Sequence, residues 1–162
     1  MSAWTRLVEW LVADKRLTGL TDDECRAVIE SLVICAEADG IITTDEWVKL
    51  HLEIKKLPWA WHHPSDEVDR IIAAFRRKKQ QDRKIGIMMA DEVREIVARF
   101  PTDEKMRRRI YRMQVSVCWF DGKAHDEHDD QLHAFREAMG ISEKDAKRIL
   151  QSVRDETIPG LG

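Results

Sequence analysis

The sequence predicts an all-α domain, and three observations predict it. Apolar residues recur at helical spacing along most of the chain. Capping signals precede those segments, among them Thr21 with Glu24 and Thr43 with Glu46, each a hydroxyl followed three residues on by a carboxylate. No alternating apolar and polar run bounded by turn residues occurs, so no sheet is expected. Seven to eight helices in one compact bundle account for the 162 residues, a single domain by the usual prior of roughly 100–200 residues.

Taken in order, the first helix is expected over residues 3–16, with Trp4, Leu7, Val8, Leu11 and Val12 as its inward face. Gly19 ends that unit, and the capping box at Thr21 opens a second helix. This helix carries Val28, Ile29, Leu32, Val33, Cys35 and Ala36 inward and ends at Asp39-Gly40. Thr43 opens a third helix to residue 57, with Trp47, Leu50 and Ile54 inward, and Pro58 stops it. Residues 59–64, with two tryptophans and His62-His63, form a connector packed over the bundle end.

Ser65 is expected to cap a helix with Val68, Ile71, Ile72 and Phe75 inward. A basic stretch then leads into a further helix ending near Phe100-Pro101. Thr102 is expected to cap the next helix, which runs through Met106, Ile110, Met113, Val117 and Trp119 to Asp121-Gly122. Another covers residues 126–139. Gly140 ends it and Ser142 caps the last helix, which fades near residue 157. Residues 1–157 thus make the domain, and residues 158–162 a loose tail.

Composition narrows the function classes. A net charge of −3 leaves no global basic field and does not favour nucleic acid as a partner. Cys25, Cys35 and Cys118 are odd in number and lack a C-x-x-C pair, which reads as buried thiols in a reducing, cytoplasmic compartment. No signal peptide and no membrane span of about 18 apolar residues is visible. Gly-rich phosphate loops, zincin motifs and nucleophile elbows are missing from the sequence as well.

One short pattern occurs twice. The first copy is Ala36-Glu-Ala-Asp39-Gly40-Ile-Ile-Thr-Thr-Asp-Glu46. The second is Cys118-Trp-Phe-Asp121-Gly122-Lys-Ala-His125-Asp-Glu127-His128. Asp39 and Asp121 lie 82 residues apart, so the chain reads as an internal duplication, a pseudo-two-fold repeat of helix–Asp-Gly–helix hairpins.

An aspartate at a helix C-terminus opposes the macrodipole, so each corner needs compensation. An Asp-Gly turn can supply it structurally, with Gly40 and Gly122 in the left-handed conformation. A divalent cation can supply it chemically, held by Asp39 and Glu46 in the first corner, because hard ions take carboxylate oxygens. In the second corner Asp121 is joined by His125, Glu127 and His128, an imidazole and carboxylate set suited to zinc or nickel rather than calcium. Neither corner is an EF-hand, because Gly follows the first Asp directly and the loop is too short.

These two corners, with the turn Met139-Gly140-Ile141-Ser142-Glu143, resemble the TerB-like family of tellurite-resistance proteins. The resemblance covers about residues 22–150. It implies an all-helical, internally pseudo-symmetric domain and acidic corner residues proposed to bind divalent cations. It also implies a place in a stress-response system, as a binding or sensing scaffold without established catalysis. Asp39, Gly40 and Glu46 match the family corner in full, and Asp121 and Gly122 match in the second copy. There His128 replaces the family glutamate, with Glu127 one place earlier, which tilts that corner toward softer metals.

Two further signals complete the reading. The His125-Asp126 pair invites comparison with metal-dependent HD phosphohydrolases, but it sits in an acidic helix start without an independent anchor. Two basic clusters stand out: Arg76, Arg77, Lys78 and Lys79, and Arg107, Arg108 and Arg109. They are either solvated helix faces or a docking patch for an anionic partner, such as an acidic protein, a phospholipid headgroup or nucleic acid. With the acidic run at 121–130 the chain is bipolar, which favours protein partners or self-association. The expectation is a non-catalytic, cation-binding interaction scaffold; the alternative is a docking module whose corners are purely structural.

Overall fold

The computed structural model describes residues 1–37, 40–119 and 126–156, the side chains of residues 126–129 excepted. Among the described residues there are eight α-helices, two 3-10 turns and no strand. The helices are α1 (Ala3–Val12), α2 (Asp22–Ala36), α3 (Thr44–Ile54), α4 (Ser65–Lys84), α5 (Met89–Val97), α6 (Glu104–Cys118), α7 (Asp126–Met139) and α8 (Glu143–Glu156). None of them is long and apolar enough to cross a membrane.

The centre is α2 packed against α6. Helix α2 is apolar on nearly every side, burying Ala27 and Ile34 as well as the predicted inward residues, which is the pattern of a helix surrounded by others. Its capping box forms as the sequence predicts, the Thr21 hydroxyl accepting from the Glu24 N–H and the Glu24 carboxylate from the Thr21 N–H. Helices α3, α4, α5 and α7 pack around α2, while α3, α7 and α8 pack on α6.

The duplication is visible in the element bounds. Asp22 and Glu104 open α2 and α6, Ala36 and Cys118 close them, and Thr44 and Asp126 open α3 and α7, each pair 82 positions apart. The packing repeats with them: α2 holds α3 and α4 as α6 holds α7 and α8.

Several boundaries differ from the sequence expectation. Helix α1 stops at Val12 rather than residue 16, because Asp14 competes for the backbone. Its carboxylate accepts from the Arg16 N–H and guanidinium, caps a 3-10 turn at Lys15–Leu17, and its own N–H donates to the Lys56 carbonyl at 2.8 Å. Pro64, not Ser65, is the cap position of α4, and that helix runs on through the whole basic stretch. Asp103, not Thr102, caps α6, its carboxylate accepting from the Met106 N–H at 2.8 Å. The box at Thr43 is half-formed: the hydroxyl accepts from the Glu46 N–H, but the Glu46 carboxylate takes the hydroxyl proton instead of the backbone N–H.

The largest correction is α1, whose predicted inward face points outward. Trp4 is 72% exposed and Leu11 66%, with Leu7, Trp10 and Val12 also exposed. The helix leans on the bundle by its Thr5, Val8 and Glu9 edge, where Glu9 meets His62 at 2.9 Å. Thus the centre of its apolar arc, around Leu7, Leu11 and Trp4, is left in solvent.

Candidate functional site

The first corner is built by the end of α2 and the start of α3. Gly40 has φ +86°, the left-handed conformation expected where the chain reverses, and its N–H donates to the Glu37 carbonyl at 3.0 Å. Glu46 sits in the first turn of α3, buried, with the Thr43 hydroxyl 2.9 Å from its Oε1. Asp39, the carboxylate expected to face it, lies outside the described residues.

An acidic residue of the same corner that the sequence reading passed over takes a structural role. The Glu37 carboxylate, at the C-terminal cap of α2, is 3.1 Å from the Arg76 guanidinium and 3.6 Å from the Lys79 ammonium. The corner is thereby tied to α4. Burial pushes the Lys79 ammonium below its ordinary value against the pull of Glu37, and pushes the neighbouring Glu92 carboxyl up against Lys79 and Arg83. Glu37 was legible in the corner string itself; its partners were not, because they lie 39 and 42 residues further on, between Glu37 and Arg76 and Lys79.

The second corner falls almost wholly outside the description. Asp121, Gly122 and His125 are not among the described residues, and Glu127 and His128 lie on the first turn of α7 with their side chains likewise outside it. One turn further, His133 is exposed and meets the Glu137 carboxylate at 3.1 Å. Among the described residues no three His, Cys, Asp or Glu side chains gather in a group that could hold a metal ion.

The basic clusters separate by helix face. Arg76 and Lys79 turn inward to Glu37, and Lys79 is buried. Lys78 sits 3.4 Å from both Asp82 and Glu95, while Arg77 is exposed. On α6, Arg107 donates to the Pro101 and Met139 carbonyls, joining the α5–α6 connection to the end of α7. Arg108 lies 3.8 Å from Glu104, and the Asp14 carboxyl is held below the usual range chiefly by its bond to Arg16, with a smaller pull from the Arg109 charge. The two clusters therefore stand on different helices and are partly engaged within the fold.

The remaining histidines pack as connector and helix residues. His63 stacks on Trp59 at 4.1 Å between centroids, and Trp59 donates its indole N–H to Asp22. His51 lies 3.0 Å from Asp69. All three cysteines are buried thiols outside any disulfide, and burial pushes the Cys25 thiol up to about 12, which leaves it a poor nucleophile at neutral pH.

No family model, curated protein or solved structure matches this chain.

Proposed function

We propose that this chain is a non-catalytic interaction scaffold that holds a divalent cation at its helix–Asp-Gly–helix corners. Its place would be the cytoplasmic stress or tellurite response that the TerB-like resemblance implies. The observation that supports the cation most is the duplicated corner. Helices α2 and α3 recur as α6 and α7 at a spacing of 82 residues, with Gly40 in the reversing conformation and Glu46 shielded one turn beyond it. A carboxylate kept from solvent beside a tight turn is a donor suited to a hard cation.

Thermal melting with zinc, nickel, manganese, magnesium and calcium tests this reading. An ion that binds only the folded state should stabilise it by about 2.7 kcal/mol at a hundredfold excess over its dissociation constant. Asp39→Ala with Glu46→Ala should remove the first-corner response, and Asp121→Ala with His128→Ala the transition-metal response. The second-corner response should fade below about pH 6.5, because imidazole must be neutral to coordinate. Melting curves that none of the five ions moves would make the corners purely structural. No turnover of phosphoesters with added manganese or zinc is expected.

The alternative, a docking module with structural corners, has its own observation in α1. Two tryptophans and two leucines on one exposed helical face form the kind of apolar patch that marks a contact surface. Self-association through it predicts a dimer in sedimentation velocity that Leu7→Glu with Leu11→Glu converts to monomer. A wild-type chain that stays monomeric at 100 μM, about a hundred times a 1 μM dissociation constant, rejects that use of α1.

A further inference from the structure

The internal repeat gives each half a reference for the other, and the halves differ at one seam. In the first half α3 and α4 both pack on α2, and His51 of α3 lies 3.0 Å from Asp69 of α4. Counted from their first residues, Ser65 and Glu143, α4 presents Val68, Ile71, Ile72 and Phe75 where α8 presents Ala146, Ile149, Leu150 and Val153. The four α4 residues are all buried. On α8, Ala146 replaces a valine, Val153 replaces a phenylalanine, and Ile149 and Leu150 are only half-buried.

Side-chain volume removed at a helix seam leaves space unless the helices collapse onto it. Here they have not. A groove of about 610 Å³ opens between α6, α7 and α8. Val115, Leu132, Ala146 and Leu150 contribute its apolar wall.

Charge changes at the same seam. Arg136 of α7 stands 82 positions after Ile54, which is buried in α3. Trp119 stands 82 positions after Glu37, and Arg154 holds the place in α8 that Arg76 holds in α4. In the first half Arg76 meets the Glu37 carboxylate; in the second, the Arg154 guanidinium lies over the Trp119 ring, 4.6 Å from its centroid. Arg136, Lys147 and Arg154 line the groove against one carboxylate, Glu143, among the described lining residues.

From this combination we infer that the α6–α7–α8 groove is a binding site for a free fatty carboxylate, its chain along the apolar wall and its head at the arginine and lysine rim. The volume falls within the roughly 300–1,000 Å³ of small-ligand sites, and an apolar wall with a few convergent polar groups is their usual construction. Guanidinium and ammonium groups supply charge-assisted hydrogen bonds to a carboxylate. This inference does not rest on the cation reading, and its test is run in chelator so that the two fail separately.

The test is calorimetric titration of the full chain with dodecanoate below its micelle concentration, in EDTA. One equivalent should bind, and decanoate, two methylenes shorter, should bind about fifteenfold more weakly at ~0.8 kcal/mol per methylene. Dodecanol and dodecyltrimethylammonium should bind at least tenfold more weakly than dodecanoate. Ala146→Leu, which restores bulk at the seam, should abolish uptake while keeping a cooperative melt. Lys147→Ala, at an exposed position, should weaken dodecanoate and leave dodecanol unchanged. The inference is overturned by absence of uptake, by equal binding of the alcohol, or by uptake that survives Ala146→Leu. An acidic amphipathic peptide that binds where dodecanoate does not would also overturn it and make the groove a peptide seat.

Discussion

At the residue scale, two kinds of position carry sharp expectations. Gly40, Gly86 and Gly140 have positive φ, and among the described residues a Cβ at any of them would meet no heavy atom within 4 Å beyond its chain neighbours. Any penalty there is therefore conformational, about 1–2 kcal/mol for an L side chain in the left-handed region. Gly40→Ala should lower the melting temperature by about 2–8 °C at ~2–4 °C per kcal/mol for a chain of this size. Gly19 has the same open surroundings without positive φ, so Gly19→Ala should raise the melting temperature by a degree or more, stabilising by ~0.4–1 kcal/mol through the unfolded state. Equal responses at the two glycines would contradict the backbone explanation.

Glu92 is buried, and its Oε2 meets no hydrogen-bond partner among the described residues. Burial raises its folded pKa above the ordinary 4.5. Between those two values the folded state binds more protons than the unfolded state, so stability falls as pH rises through that window. Glu92→Gln cannot lose that stability. Denaturant unfolding should find the variant more stable than wild type at pH 7, with the difference shrinking as pH falls toward 4. A difference that grows on acidification would refute this account.

At the element scale, α1 and α2 are opposites. Helix α2 is buried on nearly all sides, so Leu32→Ala should cost about 2–5 kcal/mol through lost burial and a residual cavity. That corresponds to a melting temperature lower by roughly 4–20 °C. In α1 the exposed Leu7 and Leu11 should tolerate glutamate within about 0.5 kcal/mol in the monomer, as surface positions do. The helix is held by few contacts, chief among them Glu9 with His62 and the Asp14 N–H with the Lys56 carbonyl. Glu9→Ala should therefore speed amide exchange across residues 3–12 while α2 and α6 stay protected. Uniform acceleration across the chain would show that α1 is integral to the cooperative unit.

At the scale of the molecule, polar bridges cross between the two halves inside the core. The Gln114 amide on α6 donates to the Ser31 hydroxyl on α2 at 3.1 Å, and the Ser31 hydroxyl donates to the Val28 carbonyl. The Ser116 hydroxyl on α6 donates to Glu53 on α3, a buried carboxylate that Lys49 and Lys56 approach from the rim. Buried polar bonds of this kind add little net energy but penalise any arrangement that leaves them unmade. Since α2 and α6 bury each other, the halves should unfold together. Gln114→Ala should shift one transition by about 2–4 kcal/mol, from the cavity and the orphaned hydroxyl, rather than split it in two. Two resolved transitions would mean that the halves fold as separate units.

What the sequence determined by itself was local and periodic. Helical class, the inward faces of α2, α3 and α4, the caps at Thr21, Thr43 and Ser142, and the spacing of the duplication all follow from residues a few positions apart, or from one offset applied along the chain. Periodicity shows that a helix has an apolar face, but it does not say that anything covers it; α1 has the face and lacks the cover. Only the tertiary structure decided which charges are used within the fold. Arg76 and Lys79 read as one basic run with Arg77 and Lys78, yet helix geometry sends the first two to Glu37 and leaves Arg77 in solvent. The groove was hidden for the same reason: Ala146 and Arg136 are ordinary helix residues until α6, α7 and α8 bring them to one seam, where missing volume and added charge become a cavity. Chemistry that depends on one neighbour along the chain can be read in advance, while chemistry that depends on partners tens of residues away exists only once packing has chosen them.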